Sequence, residues 1–228
     1  MHGALVLLVA FGCIALLLGF SRWLAHRHWA ATGNVAIGLV LFVIANAYWP
    51  ATANLRSYER LRERPTLVAQ VHCERTGPRE FRVTLTRLPE GRMQVYRLNG
   101  DQWRLEARTL LWKGRAAQVG LQPNYRLERL AARYVQSQRP VDVPPDAPLP
   151  PPDSFDLAAA DEAGTDVWAQ ARTGQRWTTQ VEAGRVYGPW RPLVDGARYD
   201  VWMRHDPADI AARMDATAAN EAGAKAMR

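Results

Sequence analysis

Motifs that announce a reaction are missing from this chain. It has no Gly-rich phosphate loop, no G-x-S-x-G elbow, no H-E-x-x-H and no C-x-x-C. P-loop nucleotide hydrolysis, serine hydrolase chemistry, zincin-type proteolysis and dithiol exchange therefore have no support in the sequence. Cysteine is scarce: of the two, Cys13 sits in an apolar run and Cys73 in the polar part, which rules out a disulfide framework. Each is expected to be a small buried apolar residue. His72 beside Cys73 is no nucleophile pair, because neighbouring side chains on a strand point to opposite faces. His205 has Asp200 and Asp206 close by but no nucleophile with them.

Charge is missing from two whole stretches. Gly3 to Phe20 carries none, and Gly33 to Trp49 carries none and only two asparagines. At about 1.5 Å per residue, seventeen or eighteen helical residues nearly cross a hydrocarbon core of about 30 Å, so residues 3–20 and 33–49 are predicted to be membrane spans. A cleaved signal peptide is the alternative for the first. The start lacks a charged region, no small-x-small site leads into polar sequence, and a second apolar segment follows at once. Cys13 as a lipoprotein site is opposed by Phe11 before the glycine and by the apolar run beyond.

The connection from Ser21 to Thr32 contains Arg22, Arg27, His26 and His28 and no acid. After the second span, residues 51–65 bring Arg56, Arg60, Arg62 and Arg64, interleaved with Glu59 and Glu63. The positive-inside rule counts only Lys and Arg, and that tally leans toward a cytoplasmic domain. The loop arginines lie closer to the spans, which pulls the other way. His26 and His28 lack a third ligand. With Trp23 and Trp29 around them, and Tyr48 and Trp49 closing the second span, they belong to an interfacial belt. Ala15 and Gly19 form a small-xxx-small pair for close span packing.

The remainder is electrically divided. Between Ala51 and Arg139 there are 18 Lys plus Arg against 8 acids, and from Pro140 onward 9 against 14. Docking of the two halves on each other, or contact of the basic half with anionic lipid, follows from that asymmetry. Nucleic acid is not expected as a partner, since neither a basic recognition helix nor an aromatic RNA-binding signature occurs.

After Pro65 the hydrophobic period changes to two. Phe81, Val83 and Leu85 alternate with Arg82, Thr84 and Thr86, so residues 66–136 are predicted to form a β-rich domain. Asn99-Gly100-Asp101 predicts a tight turn joining a hairpin from Arg92 to Trp112. In its second strand Trp103, Leu105, Ala107, Thr109 and Leu111 face inward, while Arg104, Glu106 and Arg108 face solvent as a surface charge row. Glu106 has only arginines for neighbours, and catalysis there would need a second acid, a histidine or a metal. From Tyr125 to Tyr134 the apolar spacing Leu127, Leu130, Ala131, Tyr134 predicts a short helix with Arg126, Arg129 and Arg133 outside.

Gln138 to Phe155 holds seven prolines, and residues 137–155 are assigned as an extended connector. Residues 156–205 are expected to supply a broken helix and a second hairpin packed on the domain. Tyr187, Trp190, Tyr199 and Trp202 are its aromatics for the core or for ligand stacking. Residues 206–228, alanine-rich with few apolar anchors, are expected to be frayed. The fold class is thus a two-helix transmembrane hairpin followed by a mainly β, β-rich α+β, soluble domain.

The segments "GDQWRLEARTLLW", "YRLERLAARY" and "VYGPWRPLVDGARYDV" resemble a family of small two-span inner-membrane proteins of Gram-negative bacteria, often labelled cation or multidrug efflux pumps. The resemblance runs from about Leu55 to about Arg204. It implies a cytoplasmic loop between the spans and a periplasmic domain, and it brings no functional residues. Two spans give no repeated broken helices for a midplane substrate site and no intramembrane acid for proton coupling, so an accessory role fits better than a pump.

No catalytic, cofactor-binding or metal-ligating residue is assigned. The candidate ligand or partner surface is Arg104, Glu106, Arg108, Arg126, Arg129 and Arg133. The leading expectation is a non-catalytic accessory or binding protein of the envelope whose partners are the bilayer and another envelope or transporter protein. The alternative is a membrane-tethered enzyme acting on an anionic envelope substrate, with Glu106, His72 and His205 as the residues to test.

Overall fold

In the computed structural model the described residues are 2–26, 28–118, 120–135, 153–158, 165–174, 180–206 and 211–227. Two compact units divide the chain: Met1–Ser57 with Asp161–Val167, and Tyr58–Ala160 with Trp168–Arg228.

The first unit is built on two helices, α1 (His2–Leu24) and α2 (His28–Leu55). The connection is far shorter than the segment 21–32 suggested, because both helices continue through it; the reversal falls at His26, whose φ is +54°. Small residues at seven-residue spacing form the seam: Gly12 and Gly19 on α1, and Ala31, Gly38 and Ala45 on α2, are buried. A Cβ on Gly19 would stand 2.8 Å from Val35, and one on Gly38 2.7 Å from Leu16, so the backbones approach to a distance only glycine permits. Gly19 was foreseen at this contact; the other small residue that α1 brings to the seam is Gly12, whereas Ala15 is only half-buried. Leu7, Phe11, Leu17, Val40 and Val43 point outward and are exposed.

The second unit is mainly β, with two antiparallel sheets; the short helices of the chain are α3 (Gly114–Gln118), α4 (Val167–Arg172) and α5 (Glu221–Ala226). One has the order β1 (Glu59–Arg60), β6 (Asn124–Arg133), β5 (Gln102–Trp112), β8 (Val181–Tyr187), with β7 (Ser154–Asp156) paired to β6 and β9 (Arg191–Pro192) to β5. The other has the order β11 (Ala211–Ala218), β10 (Arg198–Asp206), β2 (Thr66–Gly77), β3 (Glu80–Arg87), β4 (Arg92–Asn99). Their inner faces share one core, including Trp103, Leu105 and Leu130 from the first sheet and Val71, Phe81, Val83, Leu85 and Tyr199 from the second. The Trp103 and Tyr199 rings meet edge to face at 5.4 Å and tie the layers together.

Four local expectations are corrected. The segment Arg92 to Trp112 is not a hairpin: β4 pairs only with β3, and β5 lies in the other sheet between β6 and β8. Asn99-Gly100-Asp101 is the corner between the layers. Gly100 is needed there because a Cβ would stand 2.9 Å from the Arg133 carbonyl oxygen, while Asp101 N–H donates to that same oxygen at 2.9 Å. The stretch from Tyr187 to Arg198 is likewise a crossing between sheets, since β8 joins β5 whereas β10 pairs with β2 and β11. Segment 156–205 therefore completes both sheets instead of packing on a finished domain.

Tyr125 to Tyr134 is a strand, not a helix. Its three-residue spacing has a physical cause. A bulge opposite Glu106 and Ala107 lets Glu128 occupy an extra place, so Leu127 and Leu130 face the core three positions apart. The tail is ordered through β11 and α5 (Glu221–Ala226), because Met214 and Ala216 enter the core. The Asn220 side chain also accepts from Arg198 N–H at 2.9 Å and caps α5 through Gly223 N–H. Of the proline-rich connector 137–155, residues 137–152 lie outside the described residues, and its last two belong to β7.

Candidate functional site

Pairing of β5 with β6 places both arginine rows on one side of the first sheet. Arg104 stands opposite Ala131, Glu106 opposite Arg129, and Arg108 opposite Arg126. The bulge is what makes this possible. With strict alternation, Arg126 and Arg129 would point to opposite faces; the extra residue returns Arg129 and Arg133 to the side of Arg126. From the other edge, β8 adds Arg185 opposite Arg108 and Tyr187 opposite Glu106. All six residues expected as a surface are thus brought together, though Arg126, Arg129 and Arg133 arrive on a strand.

This face is not the solvated charge row expected for Arg104, Glu106 and Arg108. Glu106 is 6% exposed, Arg126 3% and Glu128 5%. The cover is aromatic, and its two ends differ.

At one end Glu128 Oε1 accepts from Arg108 Nε at 2.7 Å and from Arg185 at 3.1 Å. Trp168, from α4 (Val167–Arg172), closes over them: the guanidinium carbons of Arg108 and Arg185 lie 4.5 and 5.0 Å from its ring centre, and its Nε1–H donates to the Gly184 carbonyl at 2.9 Å. Arg126 lies 4.8 Å over the Tyr58 ring. This end is a mostly covered ion cluster, with Glu128 and Trp168 buried and Arg185 at its exposed rim. A buried carboxylate shared by two guanidiniums, whose charges also face a ring quadrupole, offsets part of the desolvation cost of each.

At the other end Glu106 Oε1 accepts from Arg104 Nε at 3.0 Å and from a terminal nitrogen at 2.6 Å. Arg104 is held 4.8 Å over Tyr187 and 4.5 Å over Trp190. Arg133, fixed by its Nε donating to Gln102 Oε1 at 2.8 Å, lies 4.3 Å over the same Trp190. Here the outer members are open to solvent: Tyr187 is 51% exposed, and Arg129 and Arg133 are exposed. The strand β7 sets Asp156 across from Arg129. Aromatic faces flanked by rigid guanidiniums offer both apolar contact and paired donors for a carboxylate or phosphate at low entropic cost.

Glu128, Arg185 and Trp168 were missed in the sequence. Glu128 was concealed by the helical look of its segment, and Trp168 by a stretch with little pattern. Of the four aromatics, Tyr199 is core, Tyr187 and Trp190 belong to the arginine face, and Trp202 is half-buried on the opposite sheet.

Other reactive groups are placed apart from this face. Cys73 is buried and its thiol is pushed up to about 12 by burial, which removes it as a nucleophile. His72 points the other way, 3.2 Å from Glu74. Both cysteines are free. The His26 and His28 rings stand 6.1 Å apart, and among the described residues no group of three or more His, Cys, Asp or Glu is arranged to hold a metal. Burial raises the Tyr199 phenol to about 12; it donates to the Pro192 carbonyl at 2.8 Å. Glu106 and Glu128 are both engaged by guanidiniums. No protein family, curated protein or solved structure matches this chain.

Proposed function

We propose that this chain is a membrane-anchored, non-catalytic binding protein of the bacterial inner membrane, related to the small two-span family it resembles. Its β domain lies in the periplasm and holds another envelope or transporter protein through the open end of the arginine face. In efflux it serves as an accessory subunit and not as a pump. The carrying observation is that Arg104, Arg133, Tyr187 and Trp190 form an internally braced set beside Arg129, with Arg133 and Tyr187 exposed and Arg104 and Trp190 half-buried. Recognition surfaces concentrate on such Arg and aromatic groups.

The anchor is supported by the outward surface of the helices. Only 11% of the window Val6–Leu24 and 17% of His28–Asn46 is buried, whereas a core helix would be mostly covered. Lipid satisfies that surface without further protein.

Two measurements test the reading. A phosphatase reporter fused after Arg228 is expected to be active, and activity only of a cytoplasmic reporter there would refute the periplasmic placement. A photo-crosslinking residue at position 187 in intact membranes is expected to give a discrete protein adduct, and one at position 84, on the opposite sheet, none. Equal labelling from both positions would remove the arginine face as the partner surface.

A further inference from the structure

A second basic feature lies in the same β unit and is absent from the arginine face. Residues 60–67, with Gly120, Gln122, Pro123 and His205, line an open cleft of about 880 Å³. Its wall is held by the backbone. Leu61 N–H donates to the Pro123 carbonyl at 2.7 Å, His205 N–H donates to the Arg62 carbonyl at 2.7 Å, and Arg60 pairs in register with Asn124. Leu61, 4% exposed, pins the segment to the core.

On this fixed backbone Arg60, Arg62 and Arg64 are exposed, and no side-chain hydrogen bond or ion pair engages any of them among the described residues. That contrasts with Arg104, Arg108, Arg126, Arg133 and Arg185 of the first site, which are braced by glutamates, a glutamine or aromatic rings. Glu63 is the one acid in the lining, against three arginines and His205. All three arginines line this one cleft, the chain bending at Glu63 and Arg64, which places three guanidinium forks within reach of one bound anion. Planar guanidiniums match the paired oxygens of a phosphate, and the volume admits a phosphorylated group with its glycerol, more than a bare ion needs.

We propose that this cleft binds the phosphate of a glycerophosphate group, presented as the head of an anionic phospholipid. The site itself stands on the cleft geometry. The lipid source rests on the reading of α1 and α2 as spans: Arg60 follows the end of α2 by five residues, a length that reaches at most about 18 Å when extended.

The test uses the full chain in neutral detergent. Native mass spectrometry measures retention of phosphatidylglycerol against phosphatidylcholine, and titration calorimetry measures binding of glycerol 3-phosphate and inorganic phosphate. The wild-type chain is expected to retain phosphatidylglycerol about tenfold better than phosphatidylcholine, and Arg60→Gln, Arg62→Gln, Arg64→Gln together to abolish that preference. A control with the same loss of charge outside the cleft lining, Arg75→Gln, Arg82→Gln, Arg97→Gln, is expected to keep it. Binding of glycerol 3-phosphate without lipid preference, lost in the cleft variant, supports the phosphate site and refutes the lipid source. Equal losses in both variants, or no binding of either probe, overturn the proposal. Persistence of the Cys73 thiol against alkylation verifies folding, and Arg62→Lys, which keeps charge without the fork, is expected to recover only part of the preference.

Discussion

The two ends of the arginine face use the same residue types for opposite purposes. Around Glu128 the guanidiniums are packed between a buried carboxylate and the buried Trp168 ring, with Arg108 largely covered and Arg185 at the rim. Around Trp190 they are just as well braced, yet Arg133 and Tyr187 remain open to solvent. The difference shows that bracing an arginine is separable from burying it. Buried, the cluster contributes to holding β5, β6 and β8 together; exposed, it offers a contact surface that needs little further ordering.

Variants should therefore separate stability from binding. Stability is readable in the intact protein through Cys73, whose buried thiol reacts only on opening, in a Cys13→Ser background so that one cysteine reports. The largest effect is expected for Glu128→Ala. It leaves Arg108 and Arg185 without their shared carboxylate, at a cost of about 3 kcal/mol, and shifts the urea dependence of Cys73 alkylation accordingly. Trp168→Ala follows, with a loss of about 3 kcal/mol or slightly less, because removal of a nearly buried ring opens a cavity over the same cluster. A shift under about 0.5 kcal/mol in both would show that the covered end adds little to the stability of the fold.

At the open end the order reverses. Trp190→Ala is expected to cost about 1 kcal/mol of stability while reducing the crosslinked adduct from position 187 about tenfold. Arg133→Ala should change stability by less than about 0.5 kcal/mol and still lower the adduct severalfold. His72→Ala, on the opposite sheet, should change neither, and a large loss of function there would favour an enzyme over a binding module.

Cys73 also gives a pH check. Its thiol, raised to about 12 by burial in the native state, ordinarily ionises near 9, so unfolding releases the proton at lower pH. This group's contribution to stability is full below the unfolded value and declines as pH rises toward 12. Alkylation of the native protein at pH 8 to 9 should stay slow, while the urea-unfolded chain reacts faster as pH rises.

Sequence periodicity revealed the helices and the β character, because both depend on local alternation that neighbours share. It failed at the two corners. Asn99-Gly100 looks the same whether glycine serves a tight turn or a close approach to Arg133, and only pairing across the fold decides between them. It failed again at Glu128, since a bulge in a strand imitates helical spacing. The arginines of the site were legible as a charged set; their common face was not, because it depends on the register of β5 and β6. Asn220, which orders the tail by bonding to Arg198, was invisible for the same reason.

The central claim is that the open end binds and the covered end, around Glu128 and Trp168, stabilises. Its most direct measurement is the yield of adduct from position 187 in intact membranes, taken with Cys73 protection in the same sample, for Arg133→Ala combined with Trp190→Ala. The account expects the adduct to fall at least about tenfold while Cys73 remains protected. An undiminished adduct with Cys73 protected would contradict it.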